Sequence, residues 1–321
     1  MNSSMLVDSF KKEDVPQITE LWNRNFAPSY HVNEAMLMTK VLDDSDFFAP
    51  GSLVCIEDGK IVAFIVTKIS DNSLPEYQNT AWLSVLLVDQ AYRRRGLGSF
   101  LYSRAEEELK KLGITKLIVA GEMNNFFSGI PDPSEESRAF FRKFGFQLNN
   151  GEHYDLSADV SAIDFDSLPV SVNRSEEFTT KPLSEQDIPA LELFLKTEFP
   201  GRWDYEITQY IQQGGNLRHV FLLCRGEAVK GFCKVFVSHG ENEFTAQLGN
   251  NWGSLGPIGI SQDMRGAGLG NRILCDSLKH LKALGAHKVN IDWTVLKDFY
   301  GAFGFTPWRV YLGAYKQIKE G

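Results

Sequence analysis

Two short runs in this 321-residue chain have the makings of an anion grip: Arg93-Arg94-Arg95-Gly96-Leu97-Gly98 and Arg265-Gly266-Ala267-Gly268-Leu269-Gly270, both of the form Arg-x-x-Gly-x-Gly. Each follows an apolar run that ends in a branched residue, Val88 or Ile260, and each opens an amphipathic segment closed by Leu-Gly. A strand that breaks into glycines and resumes as a helix leaves several backbone N–H groups without helical partners, aimed at one point. The positive end of the helix dipole stands behind them. Such a nest suits a phosphate or pyrophosphate, and glycine lets the backbone approach it without a Cβ in the way. Arg93 and Arg265 are placed to add charge-assisted contacts. Neither run is a Walker loop, because G-x-x-x-x-G-K-[ST] is absent. Neither has the third glycine of a dinucleotide fingerprint, since Leu101 and Ile273 stand there.

The elements that must position these loops occur twice as well. Gly98 and Gly270 lie about 172 positions apart, a period that means a duplicated domain and not a solenoid repeat. In each half an acidic residue followed by Pro16 or Pro189 opens an amphipathic helix, where the first turn has no use for the missing N–H. Two β-runs joined by a tight turn come next: 52–57 with 61–69 around Asp58-Gly59, and 220–225 with 229–237 around Gly226-Glu227. A third run, 80–88 or 254–260, leads into the glycine loop; a helix follows over 99–112 or 271–284, closed by Gly113 or Gly285. Apolar strands at 116–120 and 288–292 come after it. The polar, acidic stretch 157–177, with Pro169 inside it, reads as the linker, which gives domains of 1–165 and 172–321. The fold class is α/β of the α+β type: two tandem domains, each a mixed, mostly antiparallel sheet flanked by helices.

Composition narrows the partners. Hydrophobic residues at 43% and charged residues at 23% describe a globular chain. A formal charge of −8 argues against nucleic acid, which needs a basic footprint. No apolar run approaches the roughly 20 residues of a membrane helix, and the first residues lack the features of a signal peptide. Cys55, Cys224, Cys233 and Cys275 are scattered without metal-ligand spacing, so reduced thiols in a cytosol and no metal site are expected.

On the two loops, and on the runs Ala139-Phe-Phe-Arg-Lys-Phe-Gly-Phe146 and Asp298-Phe-Tyr-Gly-Ala-Phe-Gly-Phe305, the chain resembles the GNAT superfamily of acyl-CoA-dependent N-acetyltransferases in its tandem form. The resemblance implies that backbone groups of Leu86 to Val88 and Ile258 to Ile260 bond the pantetheine arm of acetyl-CoA. It implies that the amides of Arg93, Arg94, Arg95, Gly96, Leu97, Gly98 and Ser99 hold the pyrophosphate, as do those of Arg265, Gly266, Ala267, Gly268, Leu269, Gly270 and Asn271. The acetyl carbonyl would lie where the fourth and fifth strands part. The acceptor would be a primary amine on a small molecule or peptide.

Members of the superfamily commonly use a Tyr on the last helix as general acid. Aligning the two Gly-Phe pairs puts Tyr300 there in the second half and Phe141 in the first, and Phe has no proton to give. The second half is therefore the expected catalytic one. The first either binds acyl-CoA without turning it over or serves as scaffold. The Glu that family members often carry on the fourth strand is missing from both halves; His239, Glu241, Glu243 and Asp292 are candidate bases, beside a water relay. The first half also carries about 13 extra residues within 123–136, including Phe126 and Phe127, which either wall an acceptor pocket or pack as core. In the second half Trp203, Asp204 and Tyr205 either shape an amine pocket or plug the core. A non-catalytic acyl-CoA-binding or sensing protein is the alternative to an enzyme.

Overall fold

A computed structural model describes residues 5–238 and 248–318. The chain divides into two units, Met1–His153 with Arg309–Gly321, and Tyr154–Trp308.

In the first unit β1 (Met5–Ser9), β2 (Leu53–Glu57), β3 (Lys60–Ile69) and β4 (Thr80–Val88) form an antiparallel meander. β5 (Lys116–Val119) runs parallel to β4, reached through the crossover helix α3 (Leu97–Lys111), as a parallel pair requires. The second unit repeats this with β8 (Phe178–Pro182), β9 (Val220–Arg225), β10 (Ala228–Val237), β11 (Trp252–Ile260) and β12 (Lys288–Thr294). Its crossover helix, α7, spans Leu269–Ala283.

The far edges of β5 and β12 are covered by an exchange. β7 (Gln147–Asp159) follows the first half in sequence, yet its residues 154–159 pair with β12. β13 (Thr306–Gln317) follows the second half, yet Tyr315, Lys316 and Gln317 pair with β5, while Tyr311 and Leu312 pair with β6 (Ile130–Pro131). The units therefore differ from the expected linear domains 1–165 and 172–321. The physical reason is that each parallel strand needs a partner on its open edge, and the apolar face of the other half's last strand supplies it. Tyr311, Leu312 and Ala314 are buried in the first unit, Leu156 and Ala158 in the second.

Both faces of each sheet are covered. In the first unit α1 (Val15–Asn25) and α2 (Glu34–Leu37) set Ile18, Leu21, Trp22 and Leu37 against Phe64, Val66, Val85 and Leu87. On the other face Leu97, Leu101 and Ala105 of α3, with Phe141 of α4 (Glu135–Lys143), meet Ala63, Ile65 and Leu83. The inward residues of β3 and β4 thus alternate between two cores. In the second unit α5 (Ile188–Glu198) and α6 (Arg202–Gln212) pack Leu191, Phe194 and Ile207 on Leu222 and Phe232. α7 and the short α8 (Lys297–Gly301) pack Ile273, Leu274, Leu278 and Tyr300 on Leu223, Cys233 and Leu255. Pro16 and Pro189 sit in the first turns of α1 and α5, as the sequence predicts.

Among the described residues no helix is long and apolar enough to cross a membrane. All four cysteines are free and buried.

Candidate active site

Each glycine loop begins with a single 3-10 turn, Gln90–Tyr92 or Gln262–Met264, and ends on a left-handed glycine that starts the crossover helix. Gly96 has φ +83° and Gly268 φ +74°, and neither helix end carries a side-chain cap. The first-turn amides are thus left for an external anion. One detail differs from the expected cradle. The N–H groups of Arg93 and Arg265 bond to the carbonyls of Gln90 and Gln262 (3.4 and 3.3 Å), because the 3-10 turn claims them. The open amides therefore begin at Arg94 and Gly266. The arginine side chains of the first loop rest on protein groups: Arg93 Nε donates to Val88 O (3.1 Å), Arg94 pairs with Glu136 (3.1 Å) and Arg95 with Glu57 (3.5 Å). Arg265 is exposed.

The two loops are dressed differently. Around Gly96 there is open space, whereas a Cβ on Gly268 would meet Ser171 O at 3.1 Å. There the linker lies along the loop, with Asn173 Nδ2 donating to Ala267 O (2.9 Å) and Asn271 Nδ2 to Ser171 O (2.9 Å). The segment 157–177, expected as a linker, lies within the second unit, and its docking on the loop carries no signal in the sequence.

The strand gap is present in both units. β4 pairs with β5 only from Thr80 to Leu83, and β11 with β12 only from Trp252 to Ser254, after which the partners part. A bulge drives each divergence. In β4, Val66 and Thr67 face Val85 and Leu83, so Ser84 is extra. In β11, Lys234 alone faces Gly256 and Pro257. Beyond the bulge the antiparallel alternation decides which backbone groups are free. Asp89 N–H bonds Val62 O and Ser261 N–H bonds Lys230 O (both 2.9 Å). The neighbouring pairs Ala63–Val88, Ile65–Leu86, Gly231–Ile260 and Cys233–Ile258 are then the non-exchanging ones. Leu86, Val88, Ile258 and Ile260 accordingly turn their N–H and C=O toward the vacated edge, where an extended amide-bearing arm could add as a strand.

Around these gaps the units diverge. In the first, Trp22, Phe26, Tyr30, Phe126 and Phe127 fill the α1 side, with Trp22 stacked on Phe127 at 5.3 Å and Tyr30 against it at 5.5 Å. The inserted phenylalanines are therefore packing; Phe127 is a buried member of that cluster, and Phe126 packs against it. Phe141 is buried, and the position after β5 is Ala120.

In the second unit the matching positions are Tyr300 and Asp292. Tyr300 is 4% exposed between Phe299 and Phe305, and its hydroxyl has no hydrogen-bond partner among the described residues. Burial pushes the phenol well above its ordinary value, and Cys233 and Asp292 push the same way, so it stays protonated. β12 bulges at Asp292 and Trp293, two residues opposite Asp155 alone. Trp293 has φ +50°, a left-handed conformation that costs a bulky residue roughly 1–2 kcal/mol. Asp155 accepts its N–H at 3.1 Å, and Arg202 lies over its ring at 4.8 Å. Asp292 is exposed to solvent. A Cβ placed on Gly256 would lie 3.7 Å from its Oδ1. Of the aromatic run after α5, Phe199 plugs the core against Phe194 and Phe232, while Trp203 reaches the surface at 37% exposure. His239, Glu241 and Glu243 lie outside the described residues. Among the described residues no group of three or more His, Cys, Asp or Glu could hold a metal ion.

A duplicated sheet with two splayed strand pairs and two uncapped glycine cradles defines a tandem α/β fold of the acyltransferase type. The family described as Acetyltransferase (GNAT) family matches residues 15–146, within the first half of the chain, in keeping with the GNAT resemblance. No curated protein matches the sequence.

Solved structures share the fold over the whole chain. A GCN5-related glucosamine N-acetyltransferase region of a fungal multi-domain GH3 β-N-acetylglucosaminidase aligns with TM-score 0.83 and 22% identity, over 98% of this chain and 38% of that one. This chain thus spans 38% of that neighbour's length. A GCN5-related N-acetyltransferase from Sphaerobacter thermophilus gives 0.73 and 14%, over 100% and 98%. A tandem GNAT protein from the clavulanic acid biosynthesis pathway gives 0.66 and 17%, over 98% of both chains.

Proposed function

We propose that the second unit moves an acetyl group from acetyl-CoA to a primary amine. The observation that carries this reading is the convergence, in that unit alone, of a splayed β11–β12 pair, an uncapped cradle at Gly266 to Asn271 and the unbonded hydroxyl of Tyr300. The free edge groups of Ile258 and Ile260 suit the amide-rich pantetheine arm, and the cradle suits its diphosphate. Tyr300 would protonate the departing sulfur, a role for a phenol that is itself protonated at neutral pH.

For the first unit we propose acyl-CoA binding without turnover, at Leu86, Val88 and the Arg94 to Ser99 amides. Phe141, Ala120 and the Trp22–Phe127 stack support that assignment, because they leave no acid and a filled acceptor side. Four free, buried thiols suit a reducing cytosol. Because one neighbour is described as a glucosamine N-acetyltransferase region, glucosamine is the first acceptor to try, followed by polyamines and peptide amines.

The test is to mix the full chain with acetyl-CoA and each amine while following free thiol. Release of coenzyme thiol with at least one amine supports the enzyme. Tight acetyl-CoA binding with no thiol release for any of them would leave a binding or sensing protein.

A further inference from the structure

A reaction of this kind needs a group to take the proton of an ammonium, since an alkylamine with pKa near 10 is mostly charged at pH 7. The fourth-strand position of the second unit holds Gly256, which has no side chain to do it. We infer that Asp292, projected from the β12 bulge over Gly256, receives the acceptor ammonium and acts as its general base. The inference rests on the proposed acetyl transfer and names the residue that completes it.

Three independent features of the backbone aim this carboxylate. The β12 bulge sets two residues, Asp292 and Trp293, opposite Asp155 alone, which breaks the regular pleat where the strands part. Asp155, itself buried, holds the bulge by accepting the Trp293 N–H, and so keeps a strained conformation that nothing local would favour. The facing strand has a glycine at its own bulge, and Asp292 Oδ1 occupies the space beside it. A Cβ at position 256 would be in ordinary contact with that oxygen, and the backbone there, at φ +141°, favours glycine. In the first unit the corresponding residues are Ala120 and Ser84, so neither of these two positions offers a carboxylate there.

The surroundings bear on the same role. Asp292 is faced by Asp155 from β7, by Glu206 and Arg202 from α6, by Lys234 from β10 and by Tyr300 from α8. Arg202 is paired with Glu206 at 2.7 Å, which blunts its pull on Asp292. Partial desolvation by the protein packed around it, then the like charge of Asp155, push the Asp292 carboxyl up to about 6. A base with pKa near the working pH is the efficient one. At neutral pH the site is still anionic, so it attracts an ammonium before taking its proton.

The protons balance. The acceptor R–NH3+ gives one proton to the Asp292 carboxylate and becomes R–NH2. Its lone pair forms the C–N bond as the C–S bond of the thioester breaks. The sulfur takes the Tyr300 proton, and the second nitrogen proton, lost as the amide forms, restores the phenol. Asp292 returns its proton to solvent.

The experiment compares wild type with Asp292→Asn and Asp292→Glu, using acetyl-CoA with glucosamine, spermidine and a lysine peptide. Thiol release is followed from pH 5 to 9, and acetyl-CoA affinity is measured by calorimetry as the check on folding. We expect Asn to lower kcat/KM by about 100-fold or more, to abolish the acidic limb centred near pH 6 and to leave acetyl-CoA affinity within about twofold. Glu should restore part of the rate and move the limb. An Asn variant within threefold of wild type with the limb unchanged would overturn the assignment while leaving acetyl transfer intact. Wild type that releases no thiol with any amine would overturn the parent reading, and this one with it.

Discussion

The Tyr300 hydroxyl can be deleted with little else disturbed, which makes Tyr300→Phe the sharpest test of the second unit. The ring is held by Phe299 at 5.0 Å and Phe305 at 6.1 Å, contacts that a phenylalanine keeps. The hydroxyl has no hydrogen-bond partner among the described residues, so removing it breaks no bond there. The hydroxyl is not among the fully enclosed unpaired polar atoms and so keeps some access to solvent; its loss should leave stability unchanged or raise it by up to about 1 kcal/mol, the cost of an imperfectly hydrated hydroxyl. For a unit of this size that is a rise of at most about 4 °C in Tm. The effect on turnover has the opposite sign. A coenzyme thiol near pKa 8.5 leaves poorly as an anion, and general acids are worth about 100-fold at the low end, or about 2.7 kcal/mol. Tyr300→Phe should therefore lower kcat by about 100-fold, leave acetyl-CoA affinity nearly intact and keep or raise Tm. Thiol release at saturating acetyl-CoA, titration calorimetry and scanning calorimetry read the three quantities. Unchanged kcat would remove Tyr300 from the mechanism. A Tm lowered by several degrees would mean that the hydroxyl serves the fold instead.

Other consequences can be checked alongside. Gly96→Ala and Gly268→Ala each force an L-residue into a left-handed conformation at about 1–2 kcal/mol, so each should weaken acetyl-CoA binding at its own cradle, and only Gly268→Ala should lower turnover; identical isotherms for both variants and wild type would dispose of the cradles. A chain ending at Trp308 loses β13, and hydrogen exchange should show β5 and β6 deprotected while β9 to β11 keep their protection; equal loss in both units would contradict the exchange. Burial holds the His153 imidazole below its ordinary value while Nε2 bonds Ser128 O at 2.7 Å. The unfolded chain then binds the extra proton first, so this contribution is complete above about pH 6.5 and is lost as the pH falls through the depressed folded value. Urea unfolding of wild type and His153→Gln should therefore converge on acidification, and a gap that widens toward pH 5 would refute the sign.

What the sequence disclosed follows from how local the physics is. A glycine loop declares itself because positive φ is a property of a few adjacent residues, and both loops open an uncapped helix where the residue types put them. The strand alternation that turns Leu86, Val88, Ile258 and Ile260 toward the gaps is equally local once the strands are known. The exchange of β7 and β13 left no such mark, since the final strand of either half carries the same apolar alternation whichever sheet it joins. The Asp292–Trp293 bulge was hidden for a related reason. Nothing about a Trp predicts φ +50°, and the group that holds it there, Asp155, lies 138 positions away. The loss of the Arg93 and Arg265 amides to their own 3-10 turns needed φ and ψ to be seen.

If the proposed division of labour holds, the two units suggest why a duplicated scaffold would keep its cradle and lose its chemistry on one side only. Packing Phe127 on the α1 side of the first unit brings Trp22, Phe26 and Tyr30 into one aromatic cluster, and each such ring contributes a few kcal/mol on burial. The second unit forgoes that gain. It leaves Trp203 at 37% and Trp293 at 41% exposure, holds Trp293 in a left-handed conformation and keeps a crowded carboxylate and an unbonded phenol beside the gap. None of these features helps the chain fold, and strain collected at one place is what a working site tends to retain. The cradles escape this opposition between stability and chemistry, because a left-handed glycine at the head of a crossover helix serves the fold whether or not an anion is bound there.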